Sequence, residues 1–237
     1  MNRLLKELYD SYWNQLILAA NKAEINAAYP LLIKVCQKYV DADLKVMIVG
    51  QETDGWCGQL SKADKSVEEV MEKYSKYLYE EVKDKNKRPF WNIKNFKFFE
   101  TEITKHFSNG KSVEFVWNNI SKIGRDKRGK PSRDIRDLEL NHFNVFRKEF
   151  KILNPGLVIF TTGKRDDYIK RHFGPEVSFI SVLNLKDGTM GKETKNLIAE
   201  VRLPNFSNVK AVRVEHPNRR SLDNAITLQV IKNLCES

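Results

Sequence analysis

Residues 46–56 of this 237-residue chain are VMIVGQETDGW, an apolar run that breaks into a polar turn beside glycines. Residues 212–221, VRVEHPNRRS, follow the same pattern near the other end of the chain. Each stretch predicts a buried strand that ends in a polar loop. In open α/β sheets such loops gather at the carboxyl ends of the strands, where ligands bind. We therefore expect Glu52, Asp54 and His216 to share one crevice as an acid/base site.

Apolar runs alternate with helical patterns along the rest of the chain. The patterns predict strands at 44–49, 113–117, 157–161, 177–183 and 209–214. They predict two helices within residues 1–40, a charged helix at 66–82, an aromatic-rich helix opened by Pro89, and helices at 137–152, 163–173 and 221–235. The apolar face expected for the first helix consists of Leu4, Leu8, Tyr12, Leu16 and Ala19.

Strands separated by helices favour a mainly parallel sheet that is covered on both faces. We expect an α/β protein, a three-layer α/β/α sandwich around a mainly parallel sheet of four or five strands. With no internal repeat and no long linker, residues 1–237 are expected to form a single domain, with residues 1–40 as an N-terminal helical extension packed on it.

Three short motifs resemble those of the uracil-DNA glycosylase superfamily. Residues 50–55, GQETDG, are similar to its water-activating loop, in which a Gly-Gln pair precedes an Asp, a Pro, a Tyr and a His. Residues 216–221, HPNRRS, resemble its leaving-group loop, His-Pro-Ser-Pro-Leu-Ser. Residues 115–118, FVWN, resemble its base-recognition strand, which ends in an Asn. The resemblance covers roughly residue 44 to the C-terminus. It implies a uracil-DNA glycosylase-like fold and hydrolytic excision of uracil or a related damaged pyrimidine from DNA.

The resemblance also implies catalytic roles. Glu52 stands where the family has the Asp that orients water and faces the sugar, and Asp54 stands at the family's Tyr, so either carboxylate is a candidate to direct the water. The plainer alternative is that Asp54 and Gly55 form a turn and that Asp54 caps a helix. His216 would donate a hydrogen bond to the departing base, whereas the alternative is a structural histidine at a strand end.

The expected base-contacting residues are Gly50, Gln51, Trp56, Phe90, Asn118 and Asn119. Asn118 carries both a donor and an acceptor, the minimum for recognising the Watson–Crick edge of an extruded pyrimidine, and Asn119 could substitute for it. An Asn that merely turns the chain is the alternative. Trp56 and Phe90 are candidates to stack on the base, and are core residues otherwise.

A net charge of +10 suggests an anionic partner, and we expect DNA, single- or double-stranded, bound through its phosphates. Residues 122–131, KIGRDKRGKP, place five bases within nine residues just beyond Asn118. Where the family's leaving-group loop has an apolar wedge, this chain has two arginines, which can stack on bases and grip phosphate. The expected DNA-binding residues are Arg125, Lys127, Arg128, Lys130, Arg219, Arg220 and Ser221.

The three cysteines, Cys36, Cys57 and Cys235, are scattered and odd in number, which argues against a disulfide framework and indicates a reducing compartment. They cannot supply a four-cysteine iron–sulfur cluster, and we expect no metal and no cofactor. No run approaches the roughly 20 apolar residues of a membrane span, so we expect a cytoplasmic monomer without a membrane partner.

Two further hypotheses stay open at this point. One is a catalytically silent member of the same fold that binds nucleic acid or a nucleotide. The other is a cysteine hydrolase that uses Cys57, His216 and Glu52.

Overall fold

Six strands form one sheet in the part of the chain that the computed structural model describes, which is residues 1–80, 90–91, 95–182, 197–217 and 222–236. The strands are β1 Leu44–Gly50, β2 Val113–Asn119, β3 Leu157–Phe160, β4 Ser178–Ile180, β5 Ile198–Arg202 and β6 Lys210–Val214. Their order across the sheet is β2-β1-β3-β6-β5-β4.

The sheet is parallel at its centre and antiparallel at one side. β1 pairs parallel with β3, and β3 pairs parallel with β6, so that Val49, Phe160 and Arg213 lie side by side. β5 pairs antiparallel with both β6 and β4. All four residues of β3 are buried, as expected for a strand covered on both faces. The predicted α/β class and mainly parallel sheet are confirmed.

The predicted number of four or five strands is wrong, because β5 was missed and the sheet has six strands among the described residues. β5 has only five residues, but Glu200 and Arg202 alternate with the buried Ala199 and Val201, so the period of two that identifies a half-buried strand is present in this short segment and was overlooked. β4 also spans only Ser178–Ile180.

Eight α-helices accompany these strands in the described ranges. They are α1 Asn2–Lys22, α2 Gln37–Asp41, α3 Val67–Ser75, α4 Phe96–Phe107, α5 Arg133–His142, α6 Phe146–Leu153, α7 Asp166–Phe173 and α8 Asn224–Glu236. A 3₁₀ turn, Leu60–Lys62, precedes α3, and a π-helical turn, Lys76–Glu80, follows it. None of the helices described here combines the length and the apolar character that crossing a bilayer requires.

Helix ends follow local capping chemistry. Ser66 and Glu69 form a capping box that starts α3, and the Ser132 hydroxyl accepts the Ile135 N–H at the start of α5. The single helix expected at 137–152 is therefore wrong: it begins earlier and breaks at Phe143, where φ is −149°. α4 begins at Phe96, and Pro89, the expected start, lies outside the described residues.

The buried face of α1 differs from the expected one. Leu5, Tyr9, Leu16 and Ala20 are buried, whereas Leu4 is 47% exposed. Apolar residues occupy two neighbouring stripes of this helix, and a shift of one residue rotates the buried face by about 100°. The stripe that contains Tyr9 is the buried one, and there the Tyr9 hydroxyl forms hydrogen bonds with Glu149 and with the backbone of Ile33.

The described residues divide into two compact units. The first takes its residues from Met1–Val40, Gln51–Val82 and Asn118–Asn154, and it contains α1, α3, α5 and α6. The second takes its residues from Asp41–Gly50, Lys83–Trp117 and Pro155–Ser237, and it contains α4, α7, α8 and all of the sheet except the last two residues of β2.

A fully buried ion pair lies in the first unit. The Lys122 ammonium is 2.8 Å from Oε1 of Glu149, and both side chains have no exposed surface. The Tyr9 hydroxyl donates to the same Oε1 at 2.7 Å and accepts the Ile33 N–H at 3.1 Å. Nδ2 of Asn118 donates a hydrogen bond to Oε2 of Glu149 at 3.2 Å, and Oδ1 of Asn118 accepts one from Lys122 Nζ at 2.8 Å.

These contacts tie together segments far apart in sequence. Burial lowers the pKa of Lys122, and the carboxylates of Glu149 and Glu139 oppose that shift. Burial, then the negative charge of Glu149, raises the pKa of Tyr9 well above its ordinary value. A buried charge that loses its partner is expensive, so each member holds the others in place.

Removing one charge of this pair should destabilise the protein strongly. Lys122→Met or Glu149→Gln alone is expected to cost about 3–5 kcal/mol in the free energy of unfolding, because each leaves an uncompensated buried group. The double variant should cost clearly less than the sum. Urea unfolding of the four proteins measures this coupling, with Lys6→Met, at an exposed ion pair with Asp10, as the surface control. Additive costs would show that the pair is not coupled.

Candidate functional site

The carboxylate loop, residues 51–59, follows the carboxyl end of β1 and lies in the first unit. Glu52 is half-buried and Asp54 is exposed, while Thr53 between them is buried. The Thr53 hydroxyl has no hydrogen-bond partner among the described residues. Both candidate carboxylates are therefore accessible to solvent, as a group that directs water must be.

The basic loop, residues 121–131, runs directly against the carboxylate loop. The Gly55 N–H donates to the Arg125 carbonyl at 3.0 Å, and the Ser121 N–H donates to the Gln51 carbonyl at 2.9 Å. The Gly129 N–H reaches Oδ1 of Asp54 at 3.4 Å. The two loops are thus joined along their backbones, and Asp54 is neither a helix cap nor a simple turn residue.

A third segment, residues 26–31, holds both loops from another side. The Ala28 N–H donates to the Gly124 carbonyl at 3.0 Å, and the Leu31 N–H donates to the Lys122 carbonyl at 2.8 Å. In the carboxylate loop the Gly58 carbonyl accepts the Tyr29 N–H at 3.1 Å, and just beyond that loop the Leu60 N–H donates to the Ala27 carbonyl at 2.9 Å. The expected N-terminal extension therefore supplies backbone partners to the candidate site.

Two glycines allow this close approach. A Cβ on Gly124 would lie 2.0 Å from the Thr53 carbonyl oxygen, and a Cβ on Gly55 would lie 2.8 Å from the Asp126 carbonyl oxygen. Gly55 also has a φ of +63°, which side chains rarely adopt. Both glycines are needed because backbone meets backbone at these points.

The outer part of the basic loop is open to solvent. Arg125, Lys127, Arg128 and Lys130 are all exposed, and none forms an ion pair with a described carboxylate. Lys122, the first of the five bases counted in this segment, behaves differently, because its ammonium is fully buried against Glu149. Four cations therefore remain available to phosphate.

Asn118 has no exposed surface. Its Oδ1 accepts both Lys122 Nζ and the Asn119 N–H at 2.8 Å, which uses both lone pairs of the amide oxygen. One of its two amide hydrogens goes to Glu149. These contacts favour a structural role over base recognition. Asn119 is also buried.

His216 follows β6 in the second unit, where it is half-buried. It lies beside the loop that follows β3: a Cβ on Gly163 would be 3.3 Å from the His216 backbone nitrogen, and the Gly163 N–H donates to the Val214 carbonyl at 3.0 Å. The Glu215 carboxylate accepts the Leu222 N–H at 3.0 Å. Because β1, β3 and β6 are parallel neighbours, this loop starts at the same edge of the sheet where β1 ends at Gly50.

The two aromatic candidates are packed among other rings. Trp56 is 9% exposed, and its ring meets Tyr77 edge-on at 5.4 Å. Phe90, in the second unit, contacts Trp91 at 4.9 Å and Trp117 at 6.1 Å between ring centroids. Trp56 thus serves the core, while Phe90 keeps a partly open face. Arg219, Arg220 and Ser221 lie outside the described residues.

The structure also bears on whether Cys57 could act as a nucleophile and on whether the described residues could bind a metal ion. Burial raises the pKa of Cys57 to about 11, so its thiol is protonated at neutral pH and a poor nucleophile. This disfavours the cysteine hydrolase. Within the described ranges, no group of three or more His, Cys, Asp or Glu side chains could hold a metal ion.

Comparison of the chain with protein-family models, with curated proteins and with solved structures found no match in any of the three.

Any side chain at Gly124 should disrupt the close contact between the carboxylate loop and the basic loop. Gly124→Ala should cost about 3 kcal/mol or more in the free energy of unfolding, because the new methyl meets a backbone carbonyl that cannot move aside. Gly58→Ala is the matched control: φ there is +90°, but nothing lies within 4 Å of the new methyl, so only left-handed strain of about 1–2 kcal/mol applies. Urea unfolding compares the two, and equal costs would contradict the close approach.

Proposed function

We propose that this protein is a uracil-DNA glycosylase-like hydrolase that excises uracil or a related damaged pyrimidine from DNA. The observation that carries the proposal is the joining of the carboxylate loop to the basic loop through Gly55, Arg125 and Asp54. This arrangement sets carboxylates beside four exposed cations. A nucleic acid presents the matching features, a phosphate backbone next to a sugar that becomes cationic when its base leaves.

The reaction breaks the bond between C1′ of the sugar and the base nitrogen; water supplies the hydroxyl that replaces the base on C1′, and the remaining proton of that water neutralises the released base. Glu52, or Asp54 if the role has moved along the loop, orients that water and stabilises positive charge on the sugar. His216 donates a hydrogen bond to the oxygen of the departing base, which takes up negative charge. No metal or cofactor enters this scheme.

Glu52 and His216 each follow a buried strand, the position that ligand-binding loops take in α/β folds. Glu52 comes two residues after β1 ends, and His216 comes two residues after β6 ends. β1 and β6 both run parallel to β3, and ligands of α/β folds bind at the carboxyl ends of such strands. We infer a three-layer α/β/α sandwich of the uracil-DNA glycosylase type, and we propose that the protein works as a monomer in the cytoplasm.

A specific observation favours the second candidate, a silent member that binds nucleic acid without excising a base. Asn118, the expected base-recognition residue, has its amide oxygen fully used in the buried network and no exposed surface. In addition, Glu52 replaces the family's Asp with a longer side chain. A protein that has lost base recognition would keep the basic loop and lose turnover.

Catalysis gives the first test of the proposal. His216→Ala should slow base release about a hundred- to thousand-fold, which corresponds to roughly 3–4 kcal/mol in the activation free energy. The reason is that this hydrogen bond stabilises negative charge that develops on the base only in the transition state. DNA affinity should change little. Single-turnover cleavage of a uracil-containing oligonucleotide measures the rate, with Glu52→Gln and Asp54→Asn identifying the working carboxylate.

His106→Ala is the matched control, since His106 pairs with Glu236 and has no place in the proposed chemistry. If wild type releases no base from uracil or other damaged pyrimidines in either strand form, the silent binding protein replaces the enzyme. If His216→Ala matches His106→Ala in rate, His216 loses its assigned role.

DNA binding gives an independent test. Replacing Arg125, Lys127 and Arg128 by Gln should weaken binding about equally across sequences and reduce the slope of log affinity against log salt by about 0.9 for each lost contact with duplex phosphate. A control triple with Gln at Arg3, Lys22 and Lys38, all exposed, removes the same charge elsewhere. Fluorescence anisotropy over a salt series measures both, and equal behaviour of the two triples would remove the loop from the interface.

A further inference from the structure

A second basic surface lies in the second unit, on and just before α7. It consists of Lys164, Arg165, Tyr168, Lys170 and Arg171, which we call the α7 patch. Lys164, Lys170 and Arg171 are exposed, and Arg165 and Tyr168 are half-buried. None of these residues belongs to the motifs that suggested the proposed function.

The patch is organised around one aromatic ring. The Arg165 guanidinium lies 5.4 Å from the centroid of the Tyr168 ring, and the Arg171 guanidinium lies 4.8 Å from it. Arg165 is the residue just before α7, and Tyr168 and Arg171, three residues apart within the helix, lie on one of its faces. Two like charges beside one ring repel each other, but an arginine held over a ring still directs its N–H edge outward to a bidentate acceptor.

The two aspartates next to the patch, Asp166 and Asp167, leave a net positive charge on residues 164–171. Asp166 directly follows Arg165 in the chain, but its carboxylate forms an ion pair with the buried Arg213, with Oδ1 3.0 Å from Nε. Asp167 is exposed and offsets one of the four cations between residues 164 and 171. Arg171 forms no ion pair with any described carboxylate. A net positive surface with an arginine, a tyrosine and an arginine remains.

The position of the patch connects it to the candidate site. Lys164 and Arg165 directly follow Gly163, whose α-carbon packs against the His216 backbone. The patch thus begins at the sheet edge where the proposed leaving-group residue lies. A strand whose base is handled by His216 would present its neighbouring phosphates to this part of the surface.

We propose that the α7 patch binds the phosphodiester backbone of a nucleic-acid strand, through Arg165 and Arg171 held in place by Tyr168. This inference rests on the proposed nucleic-acid partner and extends its footprint beyond the basic loop. Ordered guanidinium groups suit phosphate, and arginine–aromatic contacts on a basic surface are typical of proteins that bind nucleic-acid strands. An acidic protein would need the charge but not the ring.

The test uses the full chain with a fluorescein-labelled oligonucleotide that contains uracil, single-stranded or in a duplex. Replacing Arg165 and Arg171 by Gln should weaken binding about tenfold, as expected when charged hydrogen bonds are lost. The slope of log affinity against log salt should fall by about 1.4 on the single strand and about 1.8 on the duplex, the values for two phosphate contacts. Tyr168→Ala should weaken binding as well, and Tyr168→Phe should not.

The matched control replaces Arg3 and Lys151, two exposed bases on other helices, by Gln. If the α7 double variant binds like this control, the inference is overturned, and loss of binding in the basic-loop triple alone would then leave the proposed function intact. Poly-glutamate and unlabelled DNA are compared as competitors at equal total negative charge. If poly-glutamate displaces the labelled oligonucleotide no less effectively than DNA does, the partner is an acidic protein and the inference is overturned. Wild type that binds neither oligonucleotide overturns both proposals, whereas binding without base release overturns only the catalytic one.

Discussion

The buried pair of Lys122 and Glu149 is the constraint on which the first unit depends. Neither charge could stay buried alone, and the hydroxyl of Tyr9 and the amide of Asn118 add hydrogen bonds to the pair. Through these four side chains, α1, the end of β2, the basic loop and α6 become fixed relative to one another within that unit. The basic loop therefore starts from a rigid point, and its outer cations extend from it.

This anchoring explains how the carboxylate loop takes its form. Glu149 holds Lys122 through the buried ion pair. Two residues further along the chain, the backbone of Gly124 packs against the Thr53 carbonyl and leaves no room for a side chain. Glu52 and Asp54 therefore leave a loop whose backbone is fixed on two sides. A carboxylate that must direct one water molecule gains from such preorganisation, because little reorganisation remains for the reaction.

Much of the second unit could be predicted from sequence, and much of the first could not. The apolar runs of β1, β3 and β6 identify parallel strands because both their faces are covered. Glu149 was overlooked, although it falls on the apolar face of α6 with Phe146, Phe150 and Leu153, where an acid is unexpected unless it is paired. Asn118 was identified by its position at a strand end, and its burial depends on Lys122 and Glu149, which are distant partners that no local pattern reveals.

The reaction proposed for this chain is hydrolysis of the bond between a base and its sugar in DNA. Mass spectrometry of a uracil-containing oligonucleotide after incubation with the full chain tests that claim most directly. The expected products are an uncut strand in which uracil has been replaced by hydroxyl, and free uracil in equal amount. An unchanged oligonucleotide, across single-stranded and duplex forms and other damaged pyrimidines, would contradict it.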